Sequence, residues 1–216
     1  QNIAIGVSSL GLNTIGTLNI AVGYESLYNN STGSNNTSVG NQSLFSNTSG
    51  QQNVAIGYQS SYANTFGGNN VSIGYVALQQ NTTGSQNIAI GHSTMAANTT
   101  GAFNSAVGFK SLRFNVVGSN NTAFGSYALH YNTTNYNSAF GYKALFANTT
   151  GIHNTAVGHT SLSANTIGER NTAVGYASLN VNTTGSFNSA FGSYALLSNT
   201  IGYSNTAIGD NTLSSN

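Results

Sequence analysis

The chain has 216 residues and only seven charged ones (four Lys or Arg, three Asp or Glu), for a net charge of +1. That is far below the roughly one quarter usual for globular domains, and it gives no electrostatic case for nucleic acid. No apolar run is long enough for a membrane span, no signal peptide is visible, and the absence of Cys removes disulfides and thiolate metal sites.

From the first residues onward the chain repeats itself. Asn stands at Asn2, Asn19, Asn36, Asn53, Asn70, Asn87, Asn104, Asn121, Asn137, Asn154, Asn171, Asn188 and Asn205. Every interval is 17 residues except the 16 from Asn121 to Asn137. Numbering each coil from this Asn gives thirteen coils, the last incomplete. Columns 1 and 12 are always Asn, and column 5 is always Gly. Column 3 is Ala, except Ser38 and Ser72. Column 4 is Ile, Val or Phe, and column 9 is Leu apart from Ser61 and Met95. Frequent Gly and β-branched residues, with no sustained 3.6-residue period, argue against helix.

These columns predict an all-β parallel β-solenoid, a flattened β-roll with one coil per 17 residues spanning 1–216 as one repeat domain. Each coil is expected to contain two short strands and two corners. Columns 4 and 9 are expected to fill the interior. Columns 3 and 8 then point outward, as alternate strand residues do, and offer a small, flat ladder to another copy; the alternative is that small residues there merely ease a corner. The Asn columns, represented by Asn53 with Asn64 and Asn171 with Asn182, are expected to form amide ladders. Glycines such as Gly57 and Gly175 supply positive φ or close approach at corners. Thirteen coils at a strand spacing of about 4.8 Å predict a rod roughly 60 Å long.

The segment Asn53-Val54-Ala55-Ile56-Gly57 resembles the head repeat of YadA-like trimeric autotransporter adhesins. The longer unit from Asn137 to Gly151 is similar to repeats of bacterial and phage tail-fibre-like proteins. The resemblance implies a left-handed, homotrimeric parallel roll, although the coil here is longer than the adhesin repeat. It also implies an extracellular place, on a cell surface or in a virion tail fibre. The absence of any cap sequence adds the expectation that the chain is a segment of a longer fibre.

Catalytic chemistry is not expected, because the three carboxylates are scattered and ionisable groups do not converge. No cofactor is expected, and the four His lack metal-ligand spacing. One cluster of variable columns stands out. Column 7 stacks Lys110, Tyr127 and Lys143; column 10 stacks Arg113, His130 and Phe146; column 11 adds Phe114 and Tyr131. Aromatics beside basic groups suit a glycan or an anionic surface polymer, whereas the competing reading is a local repair around the short coil. The sequence therefore points to a structural and adhesive fibre segment, whose partners are further copies of itself and a surface glycan or other receptor. An ice-binding solenoid, from the Thr of column 13, and an amyloid-like matrix subunit are the alternatives.

Overall fold

The computed structural model describes residues 1–215; Asn216, the last Asn of column 12, lies outside them. Contacts divide the chain into two compact units, Gln1–Ser105 and Ala106–Asn216. The first holds β1 (Ile3–Ile5), β2 (Ile20–Val22), β3 (Thr37–Val39), β4 (Val54–Ile56), β5 (Val71–Ile73) and β6 (Ile88–Ile90). β7 (Ser105–Val107) starts on the last residue of that unit. The second holds β8 (Thr122–Phe124), β9 (Ser138–Phe140), β10 (Thr155–Val157), β11 (Thr172–Val174), β12 (Ser189–Phe191) and β13 (Thr206–Ile208). The described residues contain no helix.

Each unit is a parallel β-solenoid. In the first, Ala21 pairs with Ser38 and Ala55 with Ser72. In the second, Ala139 pairs with Ala156 and Ala173 with Ala190. Pairing thus joins the same column of successive coils. The register is preserved across the 16-residue coil, where Thr122 pairs with Ser138 and Phe124 with Phe140.

Among the described residues each coil has one strand, three residues long, where two were expected. The opposite wall is a ladder without strand geometry. Its backbone N–H groups still donate from coil to coil, as Leu27 does to the Ser43 carbonyl at 2.9 Å and Leu145 to that of Ser161 at 3.1 Å. Columns 7 and 9 there adopt left-handed backbone, with φ of 53° at Lys143 and 51° at Leu145. Side-chain alternation is broken, so columns 8 and 9 both turn inward. A left-handed L-residue costs about 1–2 kcal/mol, and burying a Leu contributes about 1.5–3 kcal/mol. The Leu column therefore offsets the strain that its own position imposes.

The interior inverts the expectation for column 3. Its Ala residues are fully buried, from Ala21 to Ala190, and they face the buried Leu column. Ala21, Leu27, Leu44 and Ala55 form one such cluster. The outward column is column 4, where Phe124, Phe140 and Phe191 are exposed. The reason is volume: the gap between the walls takes one Leu from one side and one methyl from the other. Column 8 is likewise buried, as at Ser26, Ala77 and Ala144, instead of facing outward. Where Ser replaces the methyl of column 3, hydroxyls pair across the gap: Ser38 meets Ser26 and Ser43, and Ser72 meets Ser60 and Ser61.

The Asn ladders form as expected. Asn64 Nδ2 donates to Asn47 Oδ1 at 2.8 Å and to the Gly67 carbonyl at 3.0 Å. Asn182 does the same toward Asn165 and Gly185, both at 2.9 Å. In column 1, the Asn53 backbone N–H donates to Asn36 Oδ1 and that of Asn171 to Asn154 Oδ1, both at 3.0 Å. The two Gly columns differ. Gly57 and Gly175 have φ of 132° and 136°, and a Cβ on Gly57 would lie 2.5 Å from the Gly74 carbonyl oxygen. Gly168, in column 15, lacks the positive φ, but a Cβ there would strike the Gly185 carbonyl and the Asn165 amide. Column 15 thus needs Gly for close approach alone.

Candidate functional site

Two surfaces stand apart from the repeat. The first is the outer face of the strand wall. Period-2 alternation puts columns 2 and 4 on this face together. In the first unit it carries Ile20, Val22, Val54, Ile56, Val71, Ile73, Ile88 and Ile90, all exposed or half-buried. In the second, column 2 turns to Thr and Ser while column 4 carries Phe124, Phe140, Val157, Val174 and Phe191. Phe124 stacks on Phe140 with centroids 5.6 Å apart. Neither set includes a charge. This face replaces the small ladder of columns 3 and 8 that the sequence placed outward.

The second surface lies within the second unit and contains every residue of the predicted cluster. Coil-to-coil stacking brings these columns together, and strong mutual contacts follow. Lys110 Nζ stands 4.7 Å from the centre of the Phe109 ring and 5.9 Å from that of Tyr127. Lys143 Nζ stands 5.3 Å from both Tyr142 and Phe146. The Arg113 guanidinium lies 5.2 Å from Phe114, which stacks on Tyr131 at 5.4 Å. Sequence reasoning missed Phe109 and Tyr142. Both occupy column 6, adjacent in sequence to the lysines, and that adjacency was the available signal.

His130 was expected at the surface but is only 5 % exposed. It stacks flat on Phe146 at 5.3 Å and meets Tyr127, Tyr131 and Phe114 edge-on. Its Nδ1 donates to the Lys110 carbonyl at 2.8 Å, which leaves Nε2 as the imidazole's acceptor. Burial pushes its pKa down, the hydrogen bond to the Lys110 carbonyl opposes this, and the nearby Arg113 and Lys110 charges lower it further.

The short coil does not account for this cluster. Beneath it the ladder is regular: Tyr127 N–H donates to Phe109 at 2.9 Å and Lys143 N–H to Ser126 at 3.0 Å. The missing residue is absorbed at the other corner, where the Thr134 carbonyl takes the Asn121 amide at 2.7 Å in place of a column 15 Gly. Rings in columns 6 to 11 are therefore not covering a broken backbone.

Elsewhere the repeat uses its polar groups internally. The column 13 hydroxyls donate to the next coil, as Thr65 does to the Thr82 carbonyl at 3.0 Å and Thr166 to that of Thr183 at 3.0 Å. His92 and His159 continue column 6 stacks, on Tyr75 at 4.9 Å and Tyr142 at 5.1 Å. Among the described residues, no group of three or more His, Asp or Glu could hold a metal ion. No family model, curated protein or solved structure matches the chain.

Proposed function

We propose that the chain is a structural and adhesive segment of an extracellular homotrimeric fibre, such as a bacterial surface adhesin or a phage tail-fibre shaft. The observation that carries this reading is the uncharged apolar ladder on the outer strand face of each unit. Soluble proteins rarely leave contiguous apolar surface uncovered, and such surface marks an interaction site. A partner that fits it must present apolar rows at the same coil spacing. A further copy of this chain meets that demand at every coil. Cyclic closure then gives a finite bundle, and the resemblance to YadA-like heads and tail-fibre repeats supports three chains. The same resemblance supports the left-handed sense and the extracellular place.

Light scattering on the purified 216-residue chain, alone and as Phe140→Lys with Val157→Lys, tests the reading. The native chain is expected at three times its 22.2 kDa mass, and the doubly charged variant as monomer. A native monomer at micromolar concentration would overturn it.

A further inference from the structure

We infer that Tyr127, set between Lys110 and Lys143 with Phe114, Tyr131 and Arg113 beside it, is a binding site for an acidic polysaccharide bearing carboxylates on its sugars. The inference rests on the adhesive reading above and names the ligand for it.

Three observations lead there. The first is uncompensated charge. Glu169 pairs with Arg170 at 3.5 Å. Lys110, Arg113 and Lys143 instead stand over aromatic rings, and among the described residues none of them pairs with a carboxylate. They comprise three of the four Lys and Arg in the chain, and column stacking puts the two ammonium groups two coils apart, about 10 Å along the axis. Ring contacts hold these long side chains near one geometry, which lowers the entropy lost when an anion binds.

The second is the orientation of Tyr127. Aromatics along column 6 stack face to face, as Tyr142, His159 and Tyr176 do at 5.1 and 5.4 Å. His159 in this run is covered on both faces. Tyr127, in column 7, is turned across that order, as Tyr194 of the same column is at 77° to Tyr176. Its plane stands at 78° to Phe109, 67° to His130, 88° to Tyr142 and 70° to Phe146. Among the described residues every ring contact of Tyr127 is edge-type, and the residue is only half-buried. A ring set across the stacked rings of successive coils matches a polymer running from coil to coil. The C–H face of a pyranose packs on it while carboxylates reach the flanking ammonium groups.

The third is support from below. Buried His130 joins Tyr127, Tyr131, Phe114 and Phe146 into one packed shelf and ties it to the Lys110 backbone. The shelf is therefore formed before any ligand arrives.

Binding of the full chain to immobilised alginate, a polymer of carboxylated sugars, is the test, with dextran sulfate and neutral dextran as the other arms. Alginate is expected to bind in low salt and to weaken as salt rises. Lys110→Ala with Lys143→Ala is expected to weaken it by about tenfold or more, and Tyr127→Ala by about tenfold at unchanged net charge. Arg170→Ala, a cation outside the cluster, is expected to leave binding unchanged. Folding of each variant is checked by circular dichroism, and Tyr127→Leu serves if the Ala variant unfolds. No alginate binding overturns the inference. So does binding of alginate and dextran sulfate that is indifferent to Tyr127, because charge alone then suffices. Light scattering on the same samples separates the two readings: trimers that ignore alginate leave the fibre reading intact and remove only the ligand.

Discussion

Replacing Asn165 by Asp changes an NH2 into an oxygen inside the second unit. Asn165 Nδ2 donates to Asn148 Oδ1 at 2.8 Å and to the Gly168 carbonyl at 2.9 Å. Its own Oδ1 accepts from Asn182 at 2.9 Å. An ionised Asp keeps the last bond and loses both others. The Gly168 carbonyl still receives Asn154 Nδ2 at 2.8 Å. Asn148 Oδ1 is left without its side-chain donor, at a cost of about 1–3 kcal/mol, and the second lost bond adds about 1 kcal/mol. The destabilisation at neutral pH is therefore about 2–4 kcal/mol before the buried charge is counted. That charge faces two oxygens without water, so the carboxyl pKa rises above its ordinary value of about 3.9. The folded state then binds more protons than the unfolded one, and the loss of stability grows as pH rises through and above that value. Below it, the protonated acid regains one donor and the deficit shrinks. Urea unfolding followed by circular dichroism at pH 7 and at about pH 3.5 measures both numbers against the native chain. A loss under about 1 kcal/mol at pH 7, or a loss independent of pH, would refute the amide ladder as a source of stability.

Gly57→Ala should cost about 3 kcal/mol or more, because it combines a left-handed φ with contact against the Gly74 backbone; a loss under 1 kcal/mol in the same urea assay contradicts this. Ser72→Ala should cost about 1 kcal/mol by stranding the Ser61 hydroxyl, while Ser61→Leu with Ser72→Ala restores the common coil and recovers the loss. A double-mutant cycle without coupling counts against the pairing. Burial, aided by Arg113 and Lys110, holds His130 below its ordinary pKa, so the unfolded chain carries more protons once pH drops below about 6.5. Native stability should fall with pH in that window, and His130→Gln should reduce the slope; an unchanged slope removes His130 from the account.

The ladders were legible because thirteen copies in one chain expose what each coil needs. Asn in columns 1 and 12 and Gly in column 5 never vary, and the structure gives each a coil-to-coil contact. The choice between columns 3 and 4 was not settled by size alone. By size the larger residue belongs inside, yet the interior has room for a methyl. Variation in size held the clue: column 3 never exceeds Ala or Ser, as a wall facing a fixed gap requires. Column 4 ranges from Val22 to Phe191, as an open face allows. The left-handed residues of columns 7 and 9 left no trace, since Glu25, Lys143 and Leu145 carry no turn signature. The cluster was legible from column stacking. Burial of His130 was not, because it follows from how the rings around it pack.

An electron-microscopy class average of the purified protein in cross-section tests the central claim most directly. The account predicts three rolls, each with its strand wall and column 4 ladder turned toward the common axis, and the Tyr127 face outside. A single roll, or rolls joined through their non-strand walls, would contradict it.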